Sequence, residues 1–274
     1  MALIELNFES QYLGNNHTIS VIMPDKPRDT GPPSDFYGSG RRYRVLWLLH
    51  GTYGDHSDWL RKTKIELYAR ERDLVVVMPS ALNSNYANWP DFSIGYNMYD
   101  YFTRELMPLI YGWLPVSDRR EDNFIAGLSM GGRGALVYAL NHPELFSAAA
   151  VLSACPRNVD WLRENNPDMY RRTLGSIENQ GGLESYLSSY ENTWRIIREK
   201  AHTGELPRLY FASGTDDYLY PDYCYFKAYA EQIALDATFE EEDGYGHEWR
   251  FWDLFIQRAL AFFFPDDEAP EADA

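Results

Sequence analysis

Hydrophobic residues follow two kinds of pattern along this chain, strand-like runs and longer segments with helical spacing. Residues 3–10 and 18–23 alternate apolar and polar side chains, which predicts an opening antiparallel pair of strands. Later runs are almost wholly apolar, which is typical of strands buried on both faces of a parallel sheet. These later strands are predicted at 43–49, 74–79, 124–126, 148–152 and 209–213, with a more polar strand towards the edge at 237–241.

Apolar residues with helical spacing lie between these strands and after the last of them. They predict helices at 59–72, at 98–113 with a kink at Pro108, at 223–235 and at 252–263. Alternating strands and helices indicate a single α/β domain over residues 1–265. Residues 25–42 are rich in Pro, Gly, Asp and Ser and predict a long surface loop.

One segment, 157–207, interrupts the alternation because it contains helical patterns (160–174 and 183–201) but no strand. A helical insertion after the sixth strand forms either a lid or pocket wall over a site, or plain surface helices. Both interpretations are compatible with the sequence.

The net charge of the 274-residue chain is -16, which argues against nucleic acid and anionic membranes as partners. Residues 266–274 carry acidic but no basic side chains, so we expect a disordered acidic tail. Cys155 and Cys224 are the only cysteines and are expected to be free thiols rather than a disulfide. The first residues lack a signal-peptide pattern, and no run approaches the length of a membrane span, so we expect a cytoplasmic protein. A homo-oligomer is compatible with the sequence.

The sequence G-L-S-M-G at 127–131 lies between a predicted strand and a predicted helix. In that setting G-x-S-x-G indicates a nucleophile elbow, a tight turn that lifts the serine hydroxyl above the sheet. Ser129 is therefore the candidate nucleophile.

A serine nucleophile requires a base, and three histidines follow Ser129. His142 ends the elbow helix and His202 lies in a charged helix end, so we expect both to be exposed. His247 lies in the loop between the last strand and the last helix, where an imidazole can reach the serine. His247 is the predicted base.

The acid that orients this base should follow the strand at 209–213, where Asp216 and Asp217 stand side by side. Only one can serve His247, because successive side chains diverge. We favour Asp217 and expect Asp216 to stabilise the turn through hydrogen bonds.

The oxyanion formed by serine attack requires backbone N–H donors. One is predicted at Met130, where the helix begins and the N–H lacks a partner. The other is predicted at Thr52, with Tyr53 as the alternative, in the loop after the third strand. His50 in the same loop is expected to make structural hydrogen bonds. No metal-ligand spacing or phosphate-binding glycine loop occurs, so we expect neither metal nor cofactor.

Aromatic residues are frequent in the loops expected to surround the site. They could bind apolar acyl groups or stack on sugar rings. The sequence has no long apolar stretch of the kind that an interface-activated lipase displays, so we expect a preference for acyl chains of about two to six carbons or for aromatic acyl groups on carbohydrate. The predicted substrate-binding residues are Tyr53, Trp89, Tyr218 and Trp249. Trp59, Tyr86 and Tyr220 lie in the same loops, and Trp59 is expected to pack on the core.

Four segments, at 48–54, 127–136, 214–220 and 244–249, resemble the putative-esterase branch of the α/β-hydrolases. That branch includes tributyrin esterase, esterase D/S-formylglutathione hydrolase, feruloyl and acetyl-xylan esterases, and antigen 85 mycolyltransferases. The run G-L-S-M-G-G-x-G-A-L looks most similar to tributyrin esterase-like proteins. The resemblance implies an α/β-hydrolase fold, with Asp217 as the acid of G-x-x-D and Thr52 as the oxyanion donor after His-Gly. Leu128 departs from S-formylglutathione hydrolases, which usually have His before the nucleophile.

We therefore expect a serine carboxylesterase that forms an acyl-enzyme and acts on a small-molecule ester. The resemblance leaves open an acyltransferase or an S-formylglutathione hydrolase-like thioesterase. A binding protein derived from a hydrolase is disfavoured, because every expected catalytic residue type is present in order.

Overall fold

A computed structural model describes residues 1–28 and 30–265; the predicted acidic tail at 266–274 lies outside the described residues. Eight strands form one sheet in the spatial order β1-β2-β4-β3-β7-β8-β9-β10, and two short strands form a separate hairpin, β5-β6. β1 pairs with β2 and β2 with β4 in antiparallel register, and all other neighbours in the large sheet are parallel. The strands are β1 Ala2–Ser10, β2 Asn15–Met23, β3 Val45–Leu49, β4 Val75–Pro79, β5 Asn88–Trp89, β6 Tyr96–Asn97, β7 Asn123–Leu128, β8 Ala148–Leu152, β9 Arg208–Gly214 and β10 Ala237–Glu242.

The central strands are apolar throughout because a hydrophobic core covers each face of the sheet. In β3, Val45, Trp47 and Leu49 belong to one core. Leu46 and Leu48 belong to the other. Every residue of β3, β4, β7 and β8 is buried. β10 lies at the edge and is half-buried, as its polar composition predicted.

Helices pack on both faces of the sheet, which confirms the predicted α/β-hydrolase architecture. Among them, α4 and α5 are joined through a π-helical turn at Phe102–Leu106. The helices are α1 Pro33–Tyr37, α2 Asp58–Lys62, α3 Ile65–Arg70, α4 Met98–Tyr101, α5 Met107–Trp113, α6 Met130–Asn141, α7 Val159–Asn165, α8 Pro167–Asn179, α9 Leu183–Ser188, α10 Thr193–Lys200, α11 Tyr220–Gln232 and α12 Trp249–Phe263. No helix among the described residues is both long and apolar enough to cross a membrane.

Several predicted segments are divided more finely than the hydrophobic pattern suggested. The helix predicted at 59–72 is two helices, because Thr63 is extended and its hydroxyl bonds the Trp59 carbonyl. The loop at 25–42 contains the short helix α1. At Pro108, which has no N–H to donate, the chain uses the wider π turn just before α5.

The insertion after β8, the sixth strand of the large sheet, consists of four helices rather than two. Asparagine side chains cap three of them by accepting backbone N–H bonds, and Pro167 begins α8. These caps are Asn158 for α7, Asn166 for α8 and Asn192 for α10. The local capping residues therefore divide a pattern that periodicity alone reads as continuous.

Candidate active site

Ser129 lies in the turn between β7 and α6 with φ 53° and ψ -116°, a backbone conformation that L residues rarely adopt. The glycines beside it are required by close packing. A Cβ on Gly127 would lie 2.3 Å from the carbonyl carbon of Gly131. A Cβ on Gly131 would lie 2.4 Å from the Leu49 carbonyl oxygen. At both positions backbone atoms pack directly against backbone atoms, which only glycine permits. This packing fixes the turn that carries the serine.

The structure brings Ser129, His247 and Asp217 into one hydrogen-bonded chain. The imidazole Nε2 of His247 lies 2.9 Å from the serine Oγ. Its Nδ1 lies 2.9 Å and 3.1 Å from the two carboxylate oxygens of Asp217. The Leu219 N–H also donates to Asp217 at 2.9 Å, and the carboxylate is fully buried. This arrangement fixes the direction in which the imidazole points.

The two adjacent aspartates have separate environments. Asp217 is buried and contacts His247, whereas Asp216 is exposed and its backbone N–H donates to the Tyr245 carbonyl at 3.0 Å. Asp216 therefore stabilises the turn through its backbone, and Asp217 supplies the carboxylate that contacts His247.

Two aromatic rings hold the imidazole of His247 in place. The Tyr218 ring centroid is 4.7 Å away, and the Trp252 ring meets the imidazole edge to face at 5.0 Å. The Trp252 indole N–H donates to the Ser153 hydroxyl at 3.0 Å, which anchors that ring. The sequence pattern predicted only that Trp252 begins the last helix, at 252–263. Its position five residues after His247, one helical turn into α12, was the available signal for this contact.

Thr52 and Met130 line the cavity around Ser129, and their backbone N–H groups have no hydrogen-bond partner among the described residues. The N–H of Tyr53, the alternative donor, instead donates to the Asn83 side chain at 2.9 Å. His50 is buried, and its Nε2 accepts the Ala81 N–H at 2.8 Å. The loop after β3 is therefore held by His50 while the Thr52 N–H stays available.

A cavity of about 590 Å³ opens at Ser129. Of the predicted substrate-binding residues, Tyr53, Tyr218 and Trp249 line it. Trp89 does not: its indole N–H donates to the Ser84 carbonyl at 2.7 Å, and its ring packs on the core. The structure therefore places Trp89 away from the cavity, because a ring in a loop is equally able to fold inward.

Two other loop aromatics also lie away from the cavity. Tyr86 is fully buried, its hydroxyl donates to the His50 carbonyl at 3.1 Å, and its ring occupies the space left by Gly134. The Tyr220 hydroxyl donates to Glu241 at 2.8 Å. Trp59 packs in the core as expected, with its N–H on the Leu49 carbonyl.

The helical insertion supplies cavity residues that sequence reasoning missed. They are Arg157, Asn158, Trp161, Leu162, Met169 and Arg172. Their only signal in the sequence was the insertion's place after the sixth strand. Among the described residues no group of three or more His, Cys, Asp or Glu side chains could hold a metal ion.

The insertion is tied to the elbow helix by a buried ion pair. Arg133, in the first turn of α6, donates to Glu191 at 2.7 Å, and their side chains are 4% and 1% exposed. Burial by itself would lower the pKa of Arg133, but the Glu191 carboxylate and Tyr186 outweigh it and raise that pKa. The Gln180 amide donates to the second Glu191 oxygen at 2.9 Å. This part of the insertion is thereby anchored beside the candidate nucleophile.

Comparison with known proteins places this geometry in a family. The family model described as "Putative esterase" matches residues 10–261. The chain belongs to the putative esterase family. The relatives include an acetyl esterase and a serine hydrolase, and this chain is a carboxylic ester hydrolase of the serine esterase type.

Particular relatives resemble the chain over nearly its whole length. An acetyl esterase of Caldicellulosiruptor saccharolyticus is 29% identical, covering 95% of this chain and 97% of the relative. The structure of FphF, a fluorophosphonate-binding serine hydrolase of Staphylococcus aureus, is 30% identical with a TM-score of 0.77, covering 96% of this chain and 98% of that one. The structure described as S-formylglutathione hydrolase (FrmB) of the same organism is also 30% identical, with a TM-score of 0.76 and the same coverage.

Proposed function

We propose that this serine esterase hydrolyses small acyl esters, with short or aromatic acyl groups, using Ser129 as nucleophile, His247 as base and Asp217 as the orienting acid. The observation that carries the proposal is the continuous Asp217–His247–Ser129 hydrogen-bond chain, whose Ser129 and His247 line the cavity. The hydroxyl, imidazole and carboxylate stand in the order and at the distances that acyl transfer requires.

In the first half of the proposed reaction, the Ser129 oxygen attacks the ester carbonyl carbon while its proton passes to Nε2 of His247. The carbonyl oxygen becomes an oxyanion, which the N–H groups of Thr52 and Met130 stabilise because their donors are free. The carbonyl then re-forms, the bond to the alcohol oxygen breaks, and His247 returns the proton to the leaving alcohol. Ser129 now carries the acyl group.

In the second half a water molecule replaces the alcohol. His247 removes a proton from the water as its oxygen attacks the acyl carbon, and the same two N–H groups hold the second oxyanion. Collapse expels Ser129, which regains its proton from the imidazole. Asp217 remains charged throughout and stabilises the imidazolium, since its carboxylate faces Nδ1.

The cavity supports the proposed preference for small acyl groups. The insertion contributes Leu162 and Met169, and the loop after β9 contributes Leu219, which form an apolar wall at the cavity. An acetyl esterase among the relatives is consistent with this preference. The free thiols of Cys155 and Cys224 are consistent with the proposed cytoplasmic location.

A thioesterase acting on S-formylglutathione is the second candidate, favoured by relatives so named, among them proteins of Paracoccus denitrificans and Staphylococcus aureus. Leu128 before the nucleophile counts against it.

A panel of 4-nitrophenyl esters from acetate to palmitate, together with S-formylglutathione and added acceptor alcohols, separates these activities. We expect the highest kcat/KM at about two to six carbons and no rate increase above the solubility limit of the long esters. Ser129→Ala should lower kcat by ~10³–10⁶ without unfolding the protein, and a fluorophosphonate should label Ser129 alone. A maximum at twelve carbons or more, or an adduct on another residue, contradicts the proposal.

A further inference from the structure

Two charged side chains face the cavity without the partners that burial normally requires. Arg157 lies just before α7, and Asp222 lies in the first turn of α11. The Nη1 atom of Arg157 and the Oδ1 atom of Asp222 are buried, and neither has a hydrogen-bond partner among the described residues. Since an unsatisfied buried polar atom destabilises the folded protein, and more so when it is charged, two such side chains lining one cavity require an explanation.

Arg133 lies near Arg157 and provides a comparison, because its buried guanidinium is paired with a carboxylate. Arg133 pairs with Glu191, and its pKa is raised despite burial. For Arg157, burial and then the charge of Arg133 lower the pKa to about 10. Burial also raises the pKa of Asp222 to about 6, even though Asn166 donates to its other oxygen at 2.6 Å. Both shifts have the direction expected of charged groups that lack part of their hydrogen bonding.

Arg157 and Asp222 do not satisfy each other. No N–O contact within 4.0 Å joins them in the described part of the chain. They are near enough that the guanidinium lowers the pKa of the carboxyl. Two residues that each carry an unpaired buried atom, a donor on Arg157 and an acceptor on Asp222, thus line the same cavity without contacting each other.

The unpaired atoms of Arg157 and Asp222 favour some ligand groups over others. A carboxylate would pair with Arg157 but be repelled by Asp222, and an ammonium group would meet the reverse. An alkyl group would leave both atoms unsatisfied. A hydroxyl group accepts from the guanidinium and donates to the carboxylate without adding charge.

The surroundings suit a small molecule that combines apolar faces with hydroxyl groups. The Trp161 ring lines the cavity and stacks on Tyr225 with ring centroids 4.7 Å apart. Apolar side chains of Leu162 and Leu219 lie beside it. Rings of this kind pack against the C–H faces of sugars and other polyols.

We infer that Arg157 and Asp222 form a hydroxyl-recognising subsite, and that the natural substrate is an ester bearing a hydroxyl group that reaches this part of the cavity. The inference rests on the proposed esterase function and adds the residues that select the substrate. It predicts discrimination between an ester with that hydroxyl and the same ester without it, since the deoxy compound leaves both charges unpaired.

Two pairs of esters, matched in size, test the subsite from each side of the scissile bond. On the acyl side, 4-nitrophenyl 3-hydroxypropanoate is compared with 4-nitrophenyl butanoate. On the alcohol side, a methyl mono-O-acetyl-xyloside is compared by acetate release with its dideoxy analogue, in which hydrogen replaces both free hydroxyl groups. We expect kcat/KM to favour the hydroxylated member of at least one pair by more than about 10-fold in the unaltered enzyme.

The same ratio in substituted enzymes assigns the preference to residues. Arg157→Met and Asp222→Leu should each bring it close to one, because either substitution removes half of the subsite. Arg163→Met, an exposed arginine of α7, is the matched control and should keep the ratio. Thermal unfolding checks that each variant folds. Because the ratio compares two esters on the same variant, a general loss of activity does not change it.

The outcomes separate this inference from the proposed function. If no ester is hydrolysed and a fluorophosphonate does not label Ser129, the esterase proposal itself fails. If esters are hydrolysed but both ratios are near one, or the ratio survives both substitutions, only the subsite is refuted. A stronger preference for 4-nitrophenyl hemisuccinate than for the hydroxylated ester would make the site an anion site and refute the hydroxyl assignment.

Discussion

The buried pair between Arg133 and Glu191 predicts a large and specific coupling between the elbow helix and the insertion. Glu191→Met removes the only carboxylate paired with the guanidinium of Arg133 in the described part of the chain and leaves it the uncharged partners Asn85, whose carbonyl is 3.2 Å away, and Tyr186. Arg133→Met leaves a carboxylate that is 1% exposed, with only the Gln180 amide as partner. In both cases a charge stays in the interior with little compensation, and the expected loss is about 3–5 kcal/mol of unfolding free energy.

The double variant Arg133→Met/Glu191→Met removes both charges and should recover most of that loss. Replacement of a whole buried pair by apolar side chains is often neutral or stabilising, so we expect a coupling energy of at least about 2 kcal/mol. Urea unfolding followed by tryptophan fluorescence measures all four proteins of the cycle.

A solvent-exposed pair in the same insertion provides the control. Arg163 and Asp160 lie 3.2 Å apart with side chains 54% and 83% exposed, and Arg163→Met should cost less than about 0.5 kcal/mol. Single losses at Arg133 and Glu191 as small as this control, or purely additive effects in the double variant, would refute the claim that the pair anchors the insertion.

Three further predictions concern the site. Asp217→Asn should lower kcat by ~10²–10⁴ while Asp216→Asn stays near the unaltered enzyme, as measured with 4-nitrophenyl acetate, because only the first carboxylate faces the imidazole. Gly131→Ala should abolish fluorophosphonate labelling, because its Cβ would lie 2.4 Å from the Leu49 carbonyl oxygen. Asp222→Asn should stabilise the protein at pH 7 by roughly 2–3 kcal/mol, but not at pH 3.5, in urea titrations at both values.

The sign of the last prediction follows from the raised pKa of Asp222. The folded carboxyl has a pKa of about 6 against 3.8 for the ordinary group, so the folded protein holds this proton over that interval and the unfolded chain does not. Stability is therefore full below about pH 4 and falls as the pH rises to 6. An equal effect of Asp222→Asn at both pH values contradicts this account.

Equal losses of kcat in Asp216→Asn and Asp217→Asn, or fluorophosphonate labelling of Gly131→Ala, contradict the other two predictions.

Local signals in the sequence were sufficient for the fold and for the order of the candidate site residues. Unbroken apolar runs such as 148–152 predict strands because burial on both faces leaves no polar position. The G-x-S-x-G turn is equally local, since the glycines and Ser129 must share a tight backbone path. The position of His247 between the last strand and last helix also follows from the chain order alone.

The tertiary structure alone decided which side chains meet. Asp216 and Asp217 have the same chemistry, and only the path of the turn sends one carboxylate to the imidazole 30 positions away. Trp89 satisfied every sequence criterion for a cavity residue, yet its ring turns to the core. Arg157 and Asp222 carried no motif, and they line one cavity because the insertion and α11 both border it. Periodicity and propensity act over a few residues, whereas these contacts join distant segments and depend on how the finished layers pack.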